Sequence, residues 1–103
     1  MIHQLRIYEL TDRGRIEFRD RFRDHAARIM RRYGFIIVGA WQREDGDNAE
    51  FMYMLEWSDE DVMKTGWDNF LADEEWFGIR SSAKLVGGIQ DQFLHPVSLS
   101  SEP

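Results

Sequence analysis

The hydrophobic and polar positions at the start of the chain alternate. Residues 2–10 (IHQLRIYEL) follow a period of two, which predicts a β-strand with two different faces. One face carries Leu5 and Ile7, and the other carries Gln4, Arg6 and Tyr8. We assign the apolar pair to the core, so the polar face is expected to point away from it.

Residues 13–33 change to spacings of three and four, which predicts an amphipathic helix. Its apolar stripe consists of Phe18, Phe22, Ala26, Ile29, Met30 and Tyr33. Gly34 follows at the point where a helix commonly ends in a left-handed residue. The first strand is therefore expected to lead directly into a long helix that covers one side of a sheet.

Two segments in the middle of the chain are rich in β-branched and aromatic residues. They are FIIVGAWQR (35–43) and FMYMLEW (51–57), and the Asp45-Gly46 pair between them predicts a hairpin. With these bounds the loop is longer than two residues. Phe51, Tyr53, Leu55 and Trp57 should face the core, with Met52, Met54 and Glu56 opposite them.

A second helix and a last strand complete the predicted order. Ser58, followed by Asp61, resembles a capping box that starts the helix. The apolar side of this helix contains Val62, Met63, Gly66, Trp67, Phe70 and Leu71. Residues 85–95 form the strand, with Leu85, Ile89 and Phe93 inward and Gln90 and Gln92 outward. The order β-α-β-β-α-β predicts a ferredoxin-like α+β fold with a four-stranded antiparallel sheet and both helices on one face.

The sheet face without helices carries more apolar surface than a lone domain normally exposes. FIIVGAW is apolar on both sides, and two methionines stand on the outer side of the next strand. The simplest cover is a second copy of the chain, since most soluble oligomers are symmetric homodimers. We therefore expect a homodimeric α+β barrel in which two sheets enclose an interior.

Composition narrows the class of protein. The chain has 103 residues, no cysteine and a net charge of −6, which suits one domain over residues 1–97 with a loose tail at 98–103. That charge argues against general binding to nucleic acid or anionic membranes. The N-terminus lacks the apolar core of a signal peptide, and no apolar run could span a bilayer. We expect a soluble, cytoplasmic protein.

The candidate chemistry lies on the face assigned to the barrel interior. Arg6 and Glu56 could form an ion pair beside Tyr8, in which case the interior is filled by side chains. Alternatively, Arg6 holds a ligand oxygen, Tyr8 donates a hydrogen bond and Glu56 takes a proton. Met52, Met54 and Gln90 would then line the ligand pocket. Buried polar groups need partners, so both alternatives remain open at this stage.

Three further residues are candidates for function. In ADEEWFGIRSS (72–82), one of the adjacent Trp76 and Phe77 is expected to cap the core under the second helix, and the other to reach toward a partner subunit or a pocket mouth. Arg80 is expected to close over the same mouth or to pair with the preceding acids. His25 could act as a general base, although such residues are more often structural. The three histidines have no metal-ligand spacing, and no glycine loop would cradle phosphate, so neither a metal nor a cofactor is expected.

Several stretches together resemble one known family. MIHQLRIYEL, RFRDH with His25, RYGFIIVGAWQREDG, DEEW and FLHPVSLS occur in the order found in NIPSNAP proteins and cover nearly the whole chain. The resemblance implies a dimeric α+β barrel. The wider superfamily contains cofactor-independent monooxygenases and haem-degrading enzymes, whereas NIPSNAP proteins have no settled activity. The chain departs from the pattern at Glu74, where the family often has proline.

Two hypotheses for function follow. In the first, the barrel interior binds a small apolar or mixed-polarity molecule, with oxygenase-like or isomerase-like chemistry. In the second, the barrel is filled by side chains and the protein is a non-catalytic interaction or scaffold protein. Free space beside unpaired polar groups favours the first hypothesis, and a closed interior with an exposed aromatic patch near Trp76 favours the second.

Overall fold

A computed structural model describes residues 1–80 and 85–99. The strands are β1 (Ile2–Leu10), β2 (Ile36–Asp45), β3 (Asn48–Trp57) and β4 (Val86–Leu94). The helices are α1 (Gly14–Arg21), a π-helical turn (Phe22–Ala26), α2 (Ala27–Arg32), α3 (Glu60–Leu71) and α4 (Glu74–Ile79). This order confirms the predicted β-α-β-β-α-β arrangement. The tail expected at 98–103 lies mostly outside the described residues.

The four strands form one antiparallel sheet in the order β2-β3-β1-β4. The helices pack on one face of this sheet, and nothing in residues 1–80 and 85–99 covers the other face. This is the ferredoxin-like α+β fold predicted from the sequence. We call the uncovered side the open face. None of the helices in the described ranges is long and apolar enough to cross a membrane.

The core confirms the predicted faces of β3 and corrects the prediction for β1. Phe51, Tyr53, Leu55 and Trp57 are buried beneath the helices. On β1, however, Gln4 and Tyr8 point into the core, and Leu5 and Ile7 lie opposite Met54 and Met52 on the open face. The prediction for β1 was wrong because the polar side chains have buried partners, and in a strand such an error inverts every residue.

The helical stripe of the first helical region is confirmed. Phe18, Phe22, Ala26, Ile29 and Met30 are buried, and Tyr33 is partly buried against them. The π-helical turn adds a residue in the middle of this region and leaves the stripe on the sheet. Gly34 has φ of +83°, the left-handed conformation that the sequence predicted at this helix end.

Two local predictions were wrong. The strands of the hairpin extend to Asp45 and restart at Asn48, so the loop has only two residues. Gly46 has φ of +61° and occupies the first loop position, as in a type II′ turn. At the next helix, Asp59 rather than Ser58 is the cap, because its carboxylate accepts from the Val62 amide at 2.8 Å.

The acidic-aromatic segment forms α4, a short helix capped by the Asp73 carboxylate. Trp76 packs on Phe70 of α3 with ring centroids 4.9 Å apart, which confirms the predicted core contact. Phe77 instead points outward and is 64% exposed. The ADEEWF stretch therefore places Trp76 in the helix layer and Phe77 on the surface.

Candidate functional site

A pocket of about 140 Å³ lies between the helices and the sheet, on the opposite side of the sheet from the predicted barrel interior. Its wall is mainly aromatic, with two arginines. The rings belong to Tyr8, Phe18, Phe22, Tyr53, Trp67, Phe70 and Trp76, and the other lining residues are Arg6, Arg21, Ala26, Met30, Leu71 and Ile89. An apolar wall with a few placed polar groups is typical of small-molecule sites.

The polar centre of the pocket is a hydrogen-bonded group of three side chains. The Arg6 guanidinium donates to the Tyr8 hydroxyl from Nε at 3.1 Å and from Nη2 at 2.9 Å. The Tyr8 hydroxyl is 2.9 Å from the Tyr53 hydroxyl. We call these residues the Arg6–Tyr8–Tyr53 group. It places a cation and two phenols side by side between helices and sheet.

Neighbouring residues hold the Arg6 side chain in position. Its Nη1 donates to Asp91 at 3.2 Å, and its guanidinium lies 4.7 Å above the Trp67 ring. Gln4 joins β1 to β3, α3 and β4. Its Oε1 accepts hydrogen bonds from the indoles of Trp57 and Trp67, each at 2.9 Å, and its Nε2 donates to Asp91 at 2.9 Å. Gln4 is only 2% exposed. The guanidinium is thus oriented before any ligand arrives.

The environment shifts the pKa values of the groups around the pocket. Burial is the main cause that raises the pKa of Tyr53 well above its usual range, so this phenol stays neutral. For Arg6, burial lowers the pKa, but contacts with Tyr8, Tyr53 and Asp91 outweigh it and raise the pKa overall. Burial lowers the pKa of Arg21, with Tyr8 opposing the effect.

An ion-paired network on the outside positions α4 and therefore Trp76. Arg28 and Arg32 of α2 pair with Glu75 at 2.6 and 2.7 Å, and Arg32 also pairs with Asp73 at 2.8 Å. The Tyr33 hydroxyl donates to Asp73, which also caps the Trp76 amide at 2.9 Å. We call these residues the α2–α4 clamp. It fixes the helix that supplies one pocket wall.

The structure brings together three of the predicted site residues. Arg6, Tyr8 and Trp76 line the same pocket. Glu56 is instead on the open face, 3.4 Å from His3. The carboxylate beside Arg6 is that of Asp91, in the position that the sequence analysis gave to Glu56. The predicted Arg6–Glu56 pair was therefore wrong.

The remaining predicted site residues lie away from this pocket. Met52 and Met54 are on the open face, as is Gln90 opposite Ile7. His25 is exposed on the π-helical turn. Arg80 is also exposed and stacks on Phe77 at 4.6 Å, instead of pairing with the acids of α4.

Arg21 is the main site residue that the sequence analysis missed. It stands in an arginine-rich stretch that resembles a solvated helix face, so its type gave no signal. Its position did give a signal, because Arg21 lies three residues after Phe18 and directly before Phe22, at the margin of the apolar stripe. A long charged side chain at such a margin can lie along the aromatic wall with its head at the opening.

Wider depressions also lie on the surface, two of them along β2. One, of about 410 Å³, is at the hairpin end, and its lining combines several carboxylates with Arg43. The other, of about 530 Å³, is an open groove between the first helical region and β2. The first holds the Arg43–Glu50 ion pair but has no aromatic lining residue among those described. Neither joins a guanidinium to phenols as the Arg6–Tyr8–Tyr53 group does, so the smaller pocket is the better candidate site.

Comparisons with known proteins agree on the fold. The NIPSNAP family model matches residues 3–101. A search of curated proteins found no match. An uncharacterized NIPSNAP-like domain protein from Burkholderia xenovorans has a TM-score of 0.83 at 23% identity, covering 98% of this chain and 89% of that one. A NIPSNAP family protein of unknown function from Agrobacterium tumefaciens has a TM-score of 0.84 at 19% identity, covering 98% and 92%.

The similarity extends to a protein with a named activity. A mutant of SnoaB, a cofactor-independent oxygenase from Streptomyces nogalater, has a TM-score of 0.63 at 18% identity. The match covers 98% of this chain and 97% of that one. At this identity the comparison shows a shared fold and no more.

Proposed function

Because this chain belongs to the NIPSNAP family, we propose that it binds a small molecule in the pocket between helices and sheet, with cofactor-independent, oxygenase-like or isomerase-like chemistry. The observation that carries this proposal is the oriented Arg6–Tyr8–Tyr53 group in a pocket with an aromatic wall. Side chains used only for packing would not need a guanidinium and two phenols at one point.

The chemistry of this group favours substrates that develop negative charge on oxygen. A guanidinium fixed in place can stabilise an enolate or phenolate without further reorganisation. The Tyr8 hydroxyl can exchange a proton with a ligand oxygen, and the neutral Tyr53 phenol can hydrogen-bond to it. Oxygenation and isomerisation of such compounds share this step. The named activity of SnoaB, a protein of the same fold, is consistent with it.

We also propose that the open face is covered by a second copy of the chain. Leu5, Ile7, Met52 and Met54 lie together at its centre, and Trp41 on β2 is 51% exposed on the same face. A contiguous apolar face of this kind is typical of a protein interface. The dimer would bury it and leave the pocket of each subunit on the outer side of its own sheet.

A scaffold protein is the second candidate function. The exposed Phe77, held under Arg80, forms an apolar surface feature next to the pocket helix. Such a feature fits binding to another protein better than small-molecule chemistry does. In that case the aromatic pocket would serve only to pack the helices.

Native mass spectrometry of the purified protein separates the two functions. We expect a dimer whose mass exceeds that of the two chains by one small molecule per subunit. In Ile89→Trp, a half-exposed position at the pocket rim, the extra mass should disappear. In the control Val62→Trp, at an exposed position on α3, it should remain. If the wild type and both variants form dimers without extra mass, the proposal of a bound small molecule is contradicted and the scaffold function is favoured.

Once the bound molecule is identified, two substitutions test the chemical role. We expect Tyr8→Phe and Arg6→Ala each to abolish turnover of that molecule while leaving the dimer intact, because each removes one part of the Arg6–Tyr8–Tyr53 group. Steady-state assays alongside size-exclusion chromatography check this. Full activity in both variants would remove these residues from the mechanism.

A further inference from the structure

Arg21 differs from the other arginines in its surroundings. Its guanidinium lies 5.3 Å from the Phe18 ring and 5.5 Å from the Trp76 ring, at the wall of the pocket. Within the described parts of the chain it has no carboxylate at ion-pair distance, whereas Arg6 in the same pocket is paired with Asp91. The other two arginines without such a pair there, Arg31 and Arg80, are exposed.

The nearby acids of α1 are already paired with other arginines. Glu17 pairs with Arg13 at 2.9 Å, and Asp20 pairs with Arg19 at 3.2 Å. The cation of Arg21 is thus partly buried against two aromatic rings, with no carboxylate of the described residues at ion-pair distance. The rings offset only part of the cost of burying this charge, and an anion that binds beside it would offset more.

The pocket is the size of one ring. Its volume of about 140 Å³ is close to the roughly 150 Å³ of a protein cavity that holds benzene. A ligand of two or three fused rings exceeds this volume and would extend through the opening of the pocket. Aromatic walls favour offset or edge-to-face contact with a flat ligand, which here would lie between Tyr8, Phe70 and Trp76.

We propose that the ligand is a small single-ring aromatic anion, a carboxylate or phenolate, whose negative group pairs with Arg21 and whose ring enters the aromatic pocket. This inference rests on the proposed function and adds the class of its ligand. It assigns the two cations different tasks. Arg21 holds the anionic group of the ligand. Arg6, which is already hydrogen-bonded to Tyr8 and Asp91, stabilises the charge that develops on the reacting atoms of the ligand.

Calorimetric titration with four probes tests the ligand class. The probes are benzoate, the neutral benzyl alcohol, the cationic benzylamine and the two-ring anion 2-naphthoate. We expect benzoate to bind at least about tenfold more tightly than each of the others, since charge-assisted pairing to arginine is a strong interaction. Arg21→Gln should weaken benzoate binding by about tenfold and leave benzyl alcohol unchanged. The control Arg31→Gln, at an exposed arginine without an ion pair within the described residues, should change neither.

The contradicting outcomes are distinct. If benzoate and benzyl alcohol bind equally tightly and both are lost in Ile89→Trp, the ligand need not be an anion. The pocket would still be the binding site. Tight binding of 2-naphthoate would contradict the restriction of the ligand to a single ring. Benzoate binding that falls in Arg31→Gln but not in Arg21→Gln would place the anion on the surface and overturn the proposal. Absence of binding by all four probes would also overturn the ligand class, while an extra mass on the native dimer would still support the proposed function.

Discussion

Gln4 shows why the faces of β1 were not predictable from residue types. Its amide stands at a polar position of an alternating strand, yet its oxygen accepts from two indoles in the helix layer and its nitrogen donates to Asp91 at the edge of the core. Hydrophobicity alone cannot distinguish a polar residue with buried partners from a solvated one. The partners come from β3, α3 and β4, so the signal exists only after folding.

We expect Gln4→Leu to lower the free energy of unfolding by about 3 kcal/mol, since it leaves the Trp57 and Trp67 indole N–H groups without their acceptor. Urea denaturation measures the loss. The control Asn69→Leu, at an exposed position on α3, should stay within about 0.5 kcal/mol of the wild type. Equal stability of the two variants would contradict the role given to Gln4.

At the scale of elements, the sequence predicted helices and strands well and their contacts poorly. Every predicted element exists, because the period of apolar residues is a local property. The two-residue hairpin was missed because its strands extend through polar residues that pair only across the hairpin. The α2–α4 clamp was missed because acids and arginines more than 40 positions apart carry no mutual signal in sequence.

The clamp should make stability depend on pH. Hydrogen bonds from Arg28 and Arg32 lower the pKa of Glu75 to about 2. A lowered pKa stabilises the fold above the unfolded value of about 4.3, and this stabilisation is lost as the pH falls toward 2. We expect Glu75→Gln to be less stable than the wild type near neutral pH, and the difference to shrink by about pH 2.5.

Unfolding curves at a series of pH values check this expectation. Glu74→Gln is the matched control, because Glu74 is exposed on the same turn and no ion pair of the described residues involves it. Its difference from the wild type should vary little with pH. A pH dependence in Glu75→Gln equal to that of the wild type would show that the clamp contributes nothing.

The packing of α3 on the sheet requires glycine at one position. A Cβ at Gly66 would lie 2.8 Å from the Trp57 ring, whereas a Cβ at Gly78 of α4 would meet nothing within 4 Å. We expect Gly66→Ala to destabilise by about 1–3 kcal/mol through overpacking, despite the better helix propensity of alanine. Gly78→Ala should be neutral or stabilising by up to about 1 kcal/mol. Thermal unfolding compares them, and equal melting temperatures would contradict the close approach.

For the whole molecule, the apolar open face is the feature that the sequence analysis anticipated for a sound reason. Two helices cannot cover both sides of a sheet, so apolar strands imply another covering layer. The faces predicted for β1 were inverted, so Arg6 and Tyr8 lie on the helix side of the sheet and not on the open face where they were expected. The candidate site proposed here is therefore on the opposite side of the sheet from the predicted barrel interior.

The proposed dimer makes a direct prediction. Met54→Lys places a charge at the centre of the open face, beside Leu5. Burying an unpaired charge costs several kcal/mol, so we expect the dimer dissociation constant to rise by about 100-fold or more. Val62→Lys, on the exposed side of α3, should leave it unchanged. Analytical ultracentrifugation measures both, and a Met54→Lys dimer as tight as the wild type would exclude this interface.

The most direct test of the central claim is to locate a bound ligand with the four tryptophans. Nitrogen–proton correlation NMR resolves their indole groups, and single Trp→Phe variants assign them. With benzoate or benzyl alcohol, whichever binds more tightly, we expect the Trp67 and Trp76 signals of the pocket to shift and the Trp41 signal of the open face to stay in place. If the Trp41 signal shifts while the Trp67 and Trp76 signals stay in place, the ligand does not bind in the pocket between helices and sheet. The binding site would then be the barrel interior at the open face.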